Sequence, residues 1–104
     1  MPDQKFNSLK EFYPFYLLEH KDATSRKLHF TGTAFVIIFL FAGIFTGRWI
    51  LFAIIPLAGY GFAWAGHAFF EKNKPATFKY PFYSLASDFI MFWELLTGKI
   101  SFKG

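Results

Sequence analysis

Cysteine is absent from the 104 residues, so disulfides, thiolate zinc sites and a cysteine nucleophile are all excluded. Any metal must be held by nitrogen and oxygen, and the redox compartment is left open. Charge is also scarce, at 17% of residues, and Arg48 carries the only charge between Lys27 and Glu71. Histidine is scarcer still: His20, His29 and His67 are the full set of 3. There is no phosphate-binding glycine loop, no Ser/His/Asp arrangement of recognisable spacing and no nucleic-acid motif. The net charge of +4 does not point to a nucleic-acid partner, because the basic residues flank apolar runs instead of forming a separate patch. Met1 to Lys10 is polar and lacks the apolar stretch of a cleaved signal.

What is abundant is apolar surface. Hydrophobic residues make up 54% of the chain and aromatics 24%, including 17 Phe, more than so short a chain can hide from water. Phe30 to Gly47 is uncharged for 18 residues. As a helix that run is about 27 Å long, close to a hydrocarbon core of roughly 30 Å. Trp49 to Phe70 supplies 22 more uncharged residues, and Thr46-Gly47-Arg48 joins the two runs by a tight turn. Pro56, Gly59 and Gly61 are tolerated inside a span because neighbouring helices can satisfy freed backbone groups.

The expected architecture is an all-α membrane protein: a two-span transmembrane helical hairpin flanked by an N-terminal surface helix and a C-terminal amphipathic helix. The surface helix is expected at about 8–20, the spans at about 28–46 and 49–71, and the amphipathic helix at about 82–97. Ser8 and Glu11 are spaced as a capping box, and Pro14 is expected to kink the first helix. Lys21 to Lys27 is a polar break, and Lys72-Asn73-Lys74-Pro75-Ala76 is another. Phe82, Leu85, Phe89, Phe92, Trp93 and Leu96 form an apolar stripe, with Asp88 and Glu94 on the wet side and Gly98 at the helix end. Lysines and arginines cluster before and after the hairpin, which places both termini on the cytoplasmic side of a membrane, the inner membrane in a bacterium. Gly43, Gly59 and Gly66 permit close helix approach and make a homodimer the expected assembly. The competing architecture is a water-soluble hairpin with buried helices.

This topology brings the histidines to one depth. His29 lies where the first span enters, His67 where the second leaves, and His20 at the end of the surface helix. His20 and His29, nine residues apart, would face opposite sides of an unbroken helix, so they converge only if the chain bends between them. The break after His20 supplies that bend. Glu71 follows His67 by four residues, as a fourth ligand, a partner for an imidazole N–H, or a proton acceptor. Such a set suits iron, zinc, copper or nickel, and with an open position it can activate oxygen or water. Glu19 and Asp22 flank His20 and either orient it or cap helix ends. Tyr60 and Trp64 share the face of His67 and either line a pocket or pack between helices. Trp49 and Trp93 read as interfacial anchors.

The chain also resembles a known family at these residues. Tyr16-Leu17-Leu18-Glu19-His20, Arg26-Lys27-Leu28-His29-Phe30-Thr31-Gly32-Thr33, Gly59-Tyr60-Gly61-Phe62-Ala63-Trp64-Ala65-Gly66-His67 and Glu71-Lys72-Asn73-Lys74-Pro75-Ala76 look like the short bacterial branch of a membrane family. Its fungal members are iron-dependent 2-hydroxy fatty acid dioxygenases of fatty acid α-oxidation. The resemblance covers about Phe12 to Phe102. It implies that His20, His29 and His67 hold Fe²⁺, that Glu71 is the acidic residue of the Gly-His…Glu…Pro-Ala motif, and that O₂ shortens a 2-hydroxy acyl chain by one carbon. Arg26 or Lys27 would then pair with the carboxylate of the lipid-derived acid, or serve only as topology charges. Ser25 and Ala63 stand where the fungal pattern favours Asn and Gln, and the larger members have further membrane segments. Two other classes compete: a non-catalytic structural or partner protein of the membrane, and a zinc-type lipid hydrolase.

Overall fold

Capping chemistry decides where the helices begin. In a computed structural model that describes residues 5–73 and 79–103, the Ser8 hydroxyl accepts the Glu11 N–H at 3.2 Å and starts α1, Leu9–Leu18. The return bond of the capping box goes to the N–H of Asn7 instead of Ser8, at 3.4 Å. Pro14 sits inside α1 on its exposed side, and the helix continues through it. The Asp22 carboxylate accepts the Ser25 N–H at 3.0 Å and starts α2, Ala23–Thr46. The first long helix therefore begins earlier than the apolar run alone indicated, because its first turns are polar.

Gly47 ends α2 in the left-handed region at φ 71°, with its N–H on the Gly43 carbonyl. Helix α3, Ile50–Ala65, then runs back antiparallel and continues into a π-helical turn, Gly66–Glu71. Helix α4, Pro81–Leu96, has proline at its first position and Gly98 at φ 78° just beyond its end. The break at Lys74-Pro75-Ala76 lies outside the described residues.

Two helices, Ala23–Thr46 and Ile50–Glu71, are long and apolar enough to cross a membrane. Only 22% and 11% of their most apolar windows are buried, which is the opposite of a core helix in a soluble protein. Phe45, Leu57 and Trp49 are among the large apolar side chains turned fully outward. The architecture is that of an all-α, two-span membrane hairpin.

The hairpin closes tightly because glycines face bulky partners. A Cβ on Gly32 would lie 3.0 Å from the Phe62 Cβ and 3.3 Å from the Ala58 carbonyl oxygen. A Cβ on Gly43 would lie 2.8 Å from the Phe52 ring. Gly59 faces Val36 and Gly66 faces Ser25 in the same way. Gly43, Gly59 and Gly66 thus serve packing within one chain, which removes the reason for expecting a homodimer from them.

Helices α1 and α4 cover the open end of the hairpin. Phe12 and Tyr16 of α1 meet Met91 and Leu95 of α4 in a small buried core ringed by aromatics. The buried face of α4 is Ser84, Ser87, Met91 and Leu95, whereas Phe82, Leu85, Phe89, Trp93 and Leu96 of the apolar stripe point outward. Only Phe92 of that stripe turns inward, stacked on Phe30 with ring centroids 4.6 Å apart. The helix thus packs through two serines, Met91 and Leu95, and leaves most of the apolar stripe exposed.

Replacing Gly32 with leucine should overpack the α2–α3 seam and destabilise the protein by about 1–3 kcal/mol. Gly61→Ala, where nothing lies within 4 Å, should be neutral or stabilising by up to about 1 kcal/mol. Thermal unfolding in detergent compares the two.

Candidate metal centre

The bend after α1 brings the three imidazoles together at the covered end of the hairpin. His20, His29 and His67 are 1%, 5% and 2% exposed, and one ring nitrogen of each lies within 4.8 Å of the others. The ring centroids are 4.2 Å apart for His20 and His29, 4.5 Å for His20 and His67, and 5.2 Å for His29 and His67. Histidines rarely share a dry space without a reason, because each loses its hydration and repels a second positive charge.

Each ring has an oxygen at its Nδ1. The Tyr16 carbonyl lies 2.6 Å from His20 Nδ1, the Asn73 Oδ1 lies 2.5 Å from His67 Nδ1, and Asp88 Oδ1 lies 3.8 Å from His29 Nδ1. The two hydrogen-bonded acceptors favour the proton on Nδ1 of His20 and His67 and leave Nε2 with its lone pair. Among the described residues, the Nε2 atoms of His20 and His29 are buried with no hydrogen-bond partner. Burial, reinforced by the neighbouring His29 and His67, holds His20 well below the ordinary imidazole value. His20 is therefore neutral, as a ligand must be.

The turn itself is fastened by Arg26. Its Nε donates to the His20 carbonyl and its Nη1 to the Ser101 carbonyl, both at 2.6 Å, tying the bend and the C-terminal segment to α2. This buried guanidinium is engaged by the backbone, which explains its place better than a role as free counter-charge. Lys27, the next residue, is exposed.

Glu71 lies elsewhere than four-residue spacing implied. The segment Gly66–Glu71 is a π turn, closed by the Lys72 N–H on the His67 carbonyl, with Lys72 in the left-handed region at φ 58°. The Glu71 Oε2 accepts the Asp22 N–H at 2.7 Å instead. Asp22 is the cap of α2, and Glu19 contributes its backbone carbonyl, which accepts from Asn73 Nδ2 at 3.2 Å. His20 is thus oriented by the Tyr16 carbonyl and not by either flanking carboxylate.

Three residues to which the sequence reading assigned no role at the centre shape it. Tyr16 stacks on His20 with centroids 4.0 Å apart, and its hydroxyl donates to Asp88. Burial and the Asp88 charge push the Tyr16 phenol well above its ordinary value, so it stays a donor. Asn73 bridges His67 to the end of α1. Asp88 joins Tyr16 to His29, and Glu94 similarly accepts from the Tyr13 hydroxyl, so neither carboxylate is on a wet face. Tyr16 had a signal, four residues before His20; Asp88 had none.

A cavity of about 220 Å³ opens beside the cluster. His29, Thr33, Asp88 and Tyr60 are its polar lining, while α2 and α3 supply apolar walls. Trp64 is outside that lining, 46% exposed, with its ring 5.9 Å from that of Tyr60.

The residues fit a metal ion. Three neutral imidazoles around one ion, each at about 2.1 Å, would hold their nitrogens roughly 3 to 3.5 Å apart, a small closing from the present spacing. A family model described as 2-hydroxy-palmitic acid dioxygenase Mpo1-like matches residues 6–100. The chain belongs to that family. No curated protein and no solved structure matches it. Membership in the Mpo1-like family gives the histidine cluster a chemical setting, that of fatty acid oxidation by O₂.

Low pH should loosen the fold through His20. Its folded value is depressed, so below about pH 6.5 the unfolded chain binds a proton that the folded one does not, and stability falls with pH. The unfolding midpoint of metal-free protein should drop between pH 7 and pH 5, and His20→Gln should flatten that slope.

Proposed function

We propose that this protein is an iron-dependent dioxygenase of the membrane, acting on a 2-hydroxy fatty acid through Fe²⁺ held by His20, His29 and His67. The observation that carries the reading is the convergence of three buried imidazoles with one ring nitrogen of each within 4.8 Å of the others. Family membership supplies the substrate class. Ferrous iron bound there would supply the electron chemistry by which O₂ attacks the carbon bearing the hydroxyl.

The stoichiometry closes without an external reductant. One 2-hydroxy acid and one O₂ balance as the acid shorter by one carbon, CO₂ and water. The residues of the chain contribute order and dryness. Tyr16, Asn73 and Asp88 fix the ring orientations, Arg26 holds the bend, and α1 and α4 keep bulk water off the centre. Asp88 also lines the cavity, where its carboxylate can accept the substrate hydroxyl and repel the substrate carboxylate, giving the acid one sense of entry. Glu71 acts at a distance by fastening the start of α2. By the charge pattern, both ends of the chain and the histidine centre lie on the cytoplasmic side of a bacterial inner membrane.

Metal content after oxygen-free purification in detergent tests this directly. Near one iron per wild-type chain and almost none in His67→Ala is the expected result. Turnover of 2-hydroxypalmitic acid should consume O₂ and release CO₂ in equal amounts. Activity that persists without oxygen would indicate a zinc-type hydrolase, and metal-free wild type would leave only a structural role.

A weaker effect is expected at Asn73. Its replacement by alanine frees His67 to rotate, so iron affinity should fall about 10- to 100-fold while the protein still inserts and purifies. Competition with a chelator measures the difference.

A further inference from the structure

The 220 Å³ cavity adjoins the histidine centre, with His29 common to both. From His29 it follows one face of α2 through Thr33 to Val36, about 10 Å along the axis. Gly59 meets Val36 across the seam, so Ile55 and Pro56, which also line the cavity, lie a turn deeper toward the membrane centre. The walls at that end carry no charge. Tyr60, Leu85 and Phe89 both line the cavity and are 47%, 52% and 39% exposed, which gives it a rim on the outer surface of the hairpin. A rim at that level faces lipid tails and not water.

We propose that this cavity is an acyl-tail site loaded sideways from the bilayer: it encloses the carbons nearest the 2-hydroxy head, while the rest of the tail leaves past the rim into lipid. The proposal rests on the functional reading above for the head group, and names what recognises the tail. Its size supports partial enclosure. A cavity of about 150 Å³ holds a benzene ring, so this one takes a short run of methylenes and not a whole long chain. Two consequences follow. Recognition is of the head and first carbons, with tolerance of added length beyond the rim. The deep wall at Ile55 distinguishes tails that reach it from tails that stop short.

The test uses the full chain in nanodiscs with Ile55→Trp, which fills the deep end, and Leu57→Trp, 75% exposed on the same helix, as the control. For Ile55→Trp the ratio of KM for 2-hydroxypalmitic acid to KM for a short-tailed 2-hydroxy acid should rise about tenfold, with kcat for the long acid little changed. Leu57→Trp should leave the ratio unaltered. A second readout needs neither iron nor O₂. A 2-hydroxy fatty acid with a photoreactive group on the carbons nearest the head should label Val36 or Ile55 in the wild type and lose the Val36 labelling in Ile55→Trp. Labelling confined to outward residues such as Phe45 and Leu57, or an unchanged KM ratio, would overturn the proposal. Labelling of the cavity without oxygen-dependent turnover would uphold the tail site and reject the dioxygenase.

Discussion

The fold depends on keeping three imidazoles buried and close to one another. A buried nitrogen without a partner costs about 1–3 kcal/mol, and His20 and His29 each carry one. Nothing in simple helix packing requires that cost. It is sustained by a set of polar contacts whose common effect is to hold the rings: the Tyr16 carbonyl, the Asn73 amide, the Asp88 carboxylate and the Arg26 fork on the backbone of the bend. Stability has been committed to geometry at one end of the hairpin, the pattern expected where a ligand later satisfies the free lone pairs.

The distribution of polarity follows from this. Buried residues of α2 include Ser25, Arg26, His29 and Thr33, while its phenylalanines and isoleucines largely face out. Helix α4 repeats the arrangement with Ser84 and Ser87 inside and Phe82 and Trp93 outside. A soluble protein with this arrangement would expose large apolar patches to water. In a bilayer the same arrangement is favourable, because lipid would cover the aromatic surface.

Sequence patterns revealed what depends on local composition and missed what depends on which face meets which. Two uncharged runs, a Gly47 turn and the break after His20 were enough to foresee the hairpin and the convergence of three histidines, because each signal is contained within a few residues. Asp88 was read as solvent-facing, since amphipathic periodicity finds an apolar face without saying whether protein or lipid covers it. Here the large apolar residues of α4 face outward, while Ser84, Ser87, Met91 and Leu95 face the protein. Asn73 and Tyr16 act through hydrogen bonds and ring contacts that carry no periodicity at all. The partner of Glu71, the Asp22 N–H, lies 49 residues away, where no local spacing announces it.

The segment after α3 has its own logic. Glu71 lies four residues beyond His67, yet its carboxylate is not part of the cluster. Instead its carboxylate binds the N–H of Asp22 at the start of α2, where the helix dipole favours negative charge. A divalent ion held only by the three imidazoles would keep its full positive charge and positions free for other ligands. A centre of that kind attracts an anionic, oxygen-bearing acid more strongly than one already neutralised by a protein carboxylate. The segment thus divides two tasks, with His67 given to the centre and Glu71 given to the fold.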